Sequence, residues 1–249
     1  MNTPLRGCTA LVTGGAKGIG LAVARRLAAD GATIALIGRD SSALKQAADE
    51  LAARHAVADV TDHAALRDAV ASFGQVDVLV NNAGAAISKP FLKHAVSDFR
   101  AMLEVNLLSA VVASQVVLPE MRAHGFGRIV NIASTAGLKG YGYVTAYVAA
   151  KHALVGFTRA LALETVKDGI TVNAVCPGFT DTDMVARSAA TIAAAGGRSP
   201  DEARTLLAAG NPAGRLVRPD EVAEAVAFLC RPDASAMTGQ AIAVACGEV

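Results

Sequence analysis

Short runs of β-branched and aliphatic residues alternate with longer Ala/Leu-rich stretches along the whole chain, and that alternation leaves few folds open. TALVTG (9–14), TIALIG (33–38), AVADV (56–60), VDVLVNNAG (76–84), RIVNIAS (128–134), ITVNAVCPG (170–178) and AIAVAC (241–246) read as strands. GIGLAVARRLAADG (18–31), SSALKQAADELAARH (41–55) and DHAALRDAVASFG (62–74) read as helices, as do stretches at about 97–124 and 144–167. A helical hairpin region and RPDEVAEAVAFLC (218–230) then precede the last strand. Strands that are apolar on both faces need helices over both, so the pattern predicts an α/β fold with a doubly wound parallel sheet. No linker, repeat or low-complexity tract interrupts it, and we expect a single domain over 1–249.

Composition narrows the classes. Hydrophobic residues make up 53% of the 249 and charged residues 18%, enough for a large core with apolar surface left for partner subunits. The net charge of +1 supplies no field that would draw nucleic acid or an anionic membrane. Cys8, Cys176, Cys230 and Cys246 show no CxxC pairing and no histidines at metal spacing, so neither a disulfide framework nor a metal site is expected. The start, MNTPLRGCTALVTGG, does not resemble a signal peptide. The longest uncharged apolar stretch (105–119) is short for a bilayer and carries Asn, Ser and Gln. A cytoplasmic protein is the expectation.

The first strand runs into TGGAKGIG (13–20), with a helix directly after. Gly14, Gly18 and Gly20 allow a tight turn and close backbone approach to a pyrophosphate. The helix N-terminus, with Lys17 and Ile19 beside it, offers amides and a positive dipole end. This is the dinucleotide-binding arrangement of a Rossmann-like sheet. The second strand ends LIGRD (36–40), where a carboxylate would accept from the ribose 2′-OH of NAD and a cation would pair with the 2′-phosphate of NADP. Gly38 has no side chain, Arg39 follows, and Lys17 reaches the same space, which favours NADPH/NADP+ over NAD. Asp40 is the competing residue: a one-residue shift puts an acid near the ribose, whereas its position also suits a cap for the helix at Ser41 or Ser42. Asp59, with Val60 closing the third strand, is placed to accept from the adenine amino group. Asn82, Ala83 and Gly84 of NNAG lie where open α/β sheets bind ligands.

Ser134 closes the strand RIVNIAS, Tyr147 lies thirteen residues on, and Lys151 follows four later, one helical turn away on the same face. With TGx3GxG, NNAG, Asn106 in EVNLLSA, and the PG of NAVCPG, the chain resembles the short-chain dehydrogenase/reductase family in its compact branch, over nearly its whole length. The resemblance implies an enzyme that moves a hydride and a proton between a nicotinamide cofactor and a carbonyl. A phenol is a natural acid for the developing alkoxide, and a neighbouring ammonium is expected to lower its pKa. Lys151 would also hold the nicotinamide ribose, Ser134 would bond the substrate oxygen, and Asn106 would organise a relay water. Tyr141 and Tyr143 lack a lysine at +4 and read as pocket walls. Pro177, Gly178, Thr180 and Thr182 would hold the carboxamide end, with Asp183 standing where the family commonly has proline.

Residues 185–215 correspond to the substrate lid of such enzymes, with Gly196 and Gly197 as a hinge and SPDE (199–202) as a capped helix start. Arg187, Arg198 and Arg204 either contact phosphates of coenzyme A or a carrier protein, or form a solvated surface with Asp201 and Glu202. The course of the chain resembles acetoacetyl-CoA and 3-oxoacyl-thioester reductases and aromatic polyketide ketoreductases, and also sugar, steroid and cyclic-alcohol dehydrogenases. A 3-oxoacyl thioester is the first choice of substrate. An NAD-dependent secondary-alcohol dehydrogenase and a catalytically silent NADP sensor are the alternatives. Bare helical faces, with no charge between Glu104 and Glu120, suggest a homo-oligomer, a tetramer before a dimer. With the chain ending just past Gly247, no contribution from a long tail to the substrate site is expected.

Overall fold

The computed structural model describes residues 3–197 and 199–249. Seven parallel strands form one sheet in the order β3-β2-β1-β4-β5-β6-β7: β1 (Thr9–Thr13), β2 (Thr33–Gly38), β3 (Arg54–Val57), β4 (Val78–Asn81), β5 (Gly127–Ile132), β6 (Ile170–Pro177) and β7 (Ala241–Val244). Side chains alternate between two apolar layers. Ala10, Val12, Ile34, Leu36, Val78, Val80 and Val130 face α1 (Gly18–Ala29), α2 (Ser41–Leu51) and α9 (Pro219–Cys230). Leu11, Ala35, Ile37, Leu79 and Ile129 face α3 (His63–Ala71), α5 (Ser109–His124) and α6 (Thr145–Thr165). Leu11, Leu36, Ile37, Leu79 and Ile129 are fully buried, each stabilising the fold by about 2 kcal/mol. Strand order reverses between β1 and β4, which opens a crevice at the carboxyl ends of those strands.

Two element boundaries differ from expectation. The second helix stops at Leu51, Ala52 turns left-handed at φ 49°, and β3 already starts at Arg54 rather than 56. This strand is a sheet edge, so Arg54 and His55 stay exposed and hide the strand pattern. Strand β3 also ends at Val57, leaving Asp59 and Val60 beyond it. The helix from 97 is two pieces, α4 (Val96–Leu103) and α5, joined by a widened π turn at Glu104–Leu108. By length and composition Val96–His124 could cross a membrane, yet its Met102, Val112, Ala113, Val117 and Met121 are buried inside the protein.

The segment after β6 carries α7 (Asp183–Gly196) and α8 (Pro200–Ala209), which pack through Val185, Ala189, Ala193, Ala203 and Leu207. The Ser199 hydroxyl accepts from the Glu202 amide at 3.2 Å and the Glu202 carboxylate accepts from the Ser199 amide at 2.7 Å, the expected reciprocal cap.

Candidate active site

The glycine turn opens on a cavity of about 1190 Å³ at the sheet's carboxyl end. Gly14 and Gly18 have φ of +64° and +54°, which glycine adopts without strain. A Cβ on Gly14 would lie 3.0 Å from Asn82 Nδ2, and one on Gly18 would lie 3.2 Å from Thr182 Cγ2. Lys17 precedes α1 and no side chain caps that helix, so its first amides face the cavity without a built-in acceptor. This cradle fits the pyrophosphate of a dinucleotide.

Gly14, Lys17, Gly18, Ile19, Asn82, Ala83, Gly84, Asn106, Ser134, Tyr147, Lys151, Pro177, Gly178, Thr180 and Thr182 all line this one cavity. Four expected cofactor residues do not. Gly20 lies beneath the turn, where a Cβ would press on the Gly14 carbonyl and on Asn82 Nδ2, so it is a packing glycine. Val60 is buried in the core. Arg39 and Asp59 form a mutual 3.3 Å pair, and Arg39 is 74% exposed. Asp59 also accepts from the Thr61 amide at 3.0 Å and its hydroxyl at 2.8 Å, and these bonds, the backbone one first, hold its carboxyl below the usual range.

Asn82 lines the cavity but its amide works on the protein. It donates to the Thr13 and Gly14 carbonyls at 3.0 and 3.1 Å, while Thr13 Oγ1 accepts from the Asn82 and Ala83 amides. Thr13 thus ties the ends of β1 and β4 together, a role nothing in the reading of NNAG had assigned. Asp40 caps α2 through the Ala43 amide at 3.0 Å and pairs with Lys17 at 2.8 Å, as its capping position suggested.

Helix α6 brings the reactive groups together. Small Ala146 and Ala150 let it approach Met102 of α4 closely, and Lys151 follows on the buried side. Tyr147 and Ser134 line the same cavity, and the Ser134 hydroxyl accepts from the Ala136 amide at 3.1 Å. Lys151 is 4% exposed, donates to the Ile132 carbonyl at 2.8 Å, and lies 5.7 Å from the centre of the Tyr147 ring. Asn106 sits in the π turn, its amide donating to Ala85 O at 2.9 Å and Met102 O at 3.0 Å. A Cβ on Gly84 would lie 2.8 Å from Asn106 Oδ1 and 3.7 Å from Lys151 Nζ, so Gly84 keeps these two groups close.

One electrostatic expectation reverses. Burial pushes the Tyr147 phenol up from its ordinary value, with Ser134 pulling the other way, and Lys151 does not bring it down in this arrangement. The ammonium, whose Nζ bonds the Ile132 carbonyl, is itself pushed down from 10.5 to about 8 by burial. The two groups share a face as the spacing required, and desolvation is the largest influence on each.

In the segment expected to hold the carboxamide, Thr182 Oγ1 donates to Thr180 O at 3.2 Å and Thr180 Oγ1 to Gly178 O at 2.9 Å. Asp183 is the first residue of α7, where an acid suits the helix dipole. Gly197 ends α7 at φ +61°. Of the three arginines, Arg187 lines the cavity, Arg204 is paired with Asp181 at 2.7 Å away from it, and Arg198 lies outside the described residues. Tyr141 and Tyr143 are cavity walls. At the C-terminus, Tyr141 donates a short hydrogen bond to the Glu248 carboxylate, so the last residues touch the cavity wall. Among the described residues no three His, Cys, Asp or Glu side chains gather as a metal site.

The family model described as short chain dehydrogenase matches residues 8–193. A ketoacyl reductase of the granaticin polyketide synthase from Streptomyces violaceoruber is 43% identical, with 96% of this chain and 91% of that protein covered. D-beta-hydroxybutyrate dehydrogenase of Cupriavidus necator is 39% identical, with 94% and 95% covered. The crystal structure of an actinorhodin polyketide ketoreductase variant with NADPH superposes with a TM-score of 0.93 at 40% identity, over 100% of this chain and 99% of that one. The chain belongs to the short-chain dehydrogenase/reductase family, oxidoreductases that act on hydroxyl and keto groups with a nicotinamide cofactor.

Proposed function

We propose that this protein is an NADPH-dependent reductase that converts a ketone to a secondary alcohol, on a 3-oxoacyl thioester or a similar carbonyl. The observation that carries the reading is the meeting of Ser134, Tyr147 and Lys151 at one cavity wall, beside the uncapped start of α1. When bound, NADPH supplies the hydride. Gly14, Gly18 and the first amides of α1 would hold its pyrophosphate, Lys151 its nicotinamide ribose, and Thr180 and Thr182 its carboxamide.

Tyr147 donates the proton to the developing alkoxide, and Ser134 donates a hydrogen bond to the same oxygen. A phenol held high by burial arrives protonated across the neutral range, which suits reduction; oxidation needs the phenolate and therefore alkaline solution. Lys151, titrating at about 8, restores the proton, and Asn106, close to it beside Gly84, would organise a water that relays protons to the amine.

NADP is supported by Arg39, which follows β2, by Lys17 of the glycine turn, which reaches Asp40 at 2.8 Å, and by the engagement of Asp40 as a helix cap and ion-pair partner. The likeness to NADPH- and NADP-bearing structures points the same way. The second reading, an NAD-dependent secondary-alcohol dehydrogenase, draws on the likeness to hydroxybutyrate dehydrogenase. A homotetramer fits the apolar residues left in the open: Leu163 is 82% exposed, and Val166 and Phe228 are each 47% exposed. Four cysteines without a disulfide fit a reducing cytoplasm. Initial rates with NADPH and NADH against acetoacetyl-CoA, cyclohexane-1,4-dione and acetone test the assignment. Reduction with NADPH preferred is the expected result. Oxidation of alcohols with NAD as the dominant activity overturns it.

A further inference from the structure

The last residues fold back on the cavity and contact its wall away from Ser134, Tyr147 and Lys151. Cys246 and Gly247 are consecutive left-handed residues, at φ 53° and 85°. Cys246 adopts a conformation that side-chain-bearing residues rarely take, and such backbone persists where the surroundings hold it. Its effect is to send Glu248 inward, where the carboxylate is only 4% exposed. There it accepts a short hydrogen bond from Tyr141 OH and lies 3.2 Å from Lys139 Nζ, while Lys139 also donates to the Glu248 carbonyl at 3.0 Å. The Tyr141 oxygen lies 2.6 Å from Thr135 Oγ1, and with its proton given to Glu248 it accepts from that hydroxyl. Tyr141 in turn meets Phe179 edge-on, with ring centres 6.1 Å apart, and both rings line the cavity.

We infer that Glu248 is a positioning residue for the substrate pocket. It latches Tyr141 from the tail side, so that the ring stands as a fixed apolar wall beside Phe179. The inference rests on the proposed ketone reduction for its kinetic readout. With donor and acceptor both engaged by protein, Tyr141 offers substrate its ring and not its hydroxyl. Freed from the latch, the ring gains rotamers and the hydroxyl becomes available to the cavity, so substrate affinity falls while the chemistry at Tyr147 is spared.

A second observation makes the latch separable from plain stability. Glu248 Oε2 and Asn211 Oδ1 are both buried without a hydrogen-bond partner. They converge on Gly178, lying 2.9 and 3.1 Å from where its Cβ would stand. Asn211 cannot be turned round to help, because its amide donates to Arg215 O at 2.6 Å. Glutamine at 248 keeps an acceptor for Tyr141 and replaces the orphan oxygen with a donor beside an orphan acceptor. Glu248→Gln is therefore expected to preserve the latch, and Glu248→Ala to release it.

The test compares both variants with wild type on cyclohexane-1,4-dione and NADPH. Glu248→Ala is expected to raise KM at least fivefold, with kcat within threefold and the NADPH Kd within twofold. Glu248→Gln is expected to keep KM within twofold. The chain has three tyrosines, so ring-labelled tyrosine gives few NMR signals, and the Tyr141 signal should move in Glu248→Ala and stay in Glu248→Gln. If Glu248→Ala does not fold, Tyr141→Phe opens the latch from the other side, with the same KM rise expected. An unchanged KM in the folded alanine variant, an unmoved Tyr141 signal, or a glutamine variant as impaired as alanine overturns the inference. If wild type reduces no ketone with either cofactor, the proposed function fails, and the NMR comparison still decides the latch.

Discussion

Lys151 should make the protein less stable than it would be without it. Burial lowers its ammonium from 10.5 to about 8. At about 1.4 kcal/mol for each tenfold change, holding the charge inside at pH 7 costs the fold about 3 kcal/mol. The bond to Ile132 O returns about 1 kcal/mol. Replacing Lys151 by methionine, similar in length and uncharged, should therefore stabilise by about 2 kcal/mol at pH 7, or raise Tm by about 4–8 °C at this chain length. The sign also sets a pH signature. Below pH 8 the amine is protonated folded or unfolded, and the full cost is present. Between pH 8 and 10.5 the folded protein sheds the proton while the unfolded chain keeps it, so wild-type stability rises with pH and the gap closes. Thermal unfolding of both proteins at equal concentration from pH 7 to 9.5 reads this directly. A methionine variant that melts below wild type at pH 7, or a gap that ignores pH, refutes the reasoning.

Three further outcomes follow from the geometry. Arg39→Asp should raise the NADPH Kd at least tenfold while changing the NADH Kd less than threefold, measured by quenching or calorimetry; equal losses would remove the 2′-phosphate assignment. The kcat/KM for ketone reduction should be level below pH 8 and fall up to tenfold per unit above it, because the amine is protonated below about 8 and deprotonated beyond. A profile that rises through pH 8–10 in the reductive direction contradicts this. Gly20→Ala should destabilise by about 2 kcal/mol and weaken cofactor binding, since its Cβ meets the Gly14 carbonyl and Asn82 in a turn that cannot move aside. Wild-type Tm and affinity in that variant would show that the turn yields.

What could be seen in the sequence was whatever short spacing controls. Gly14 and Gly18 sit in one turn, and Tyr147 and Lys151 one helical turn apart, so local geometry alone places them. The cap roles of Asp40 and Ser199 were legible for the same reason. Strand β3 was shifted because an edge strand with Arg54 and His55 exposed carries little apolar signal. The grip of Thr13 on β4 and the reach of Glu248 to Tyr141 span 69 and 107 residues, distances at which no periodicity speaks. The balance of burial against charge at Tyr147 was unreadable too, because spacing gives proximity but not how much water is displaced.

The central claim is that the Tyr147 oxygen carries the proton of a hydride transfer in this cavity. Tyr147→Phe removes one oxygen from a helix face otherwise held by Ala146, Ala150 and Leu154. Measured on the purified variant, turnover of a ketone accepted by the wild type should fall at least a thousandfold while the NADPH Kd stays within threefold. A variant that keeps a tenth or more of wild-type kcat contradicts the claim.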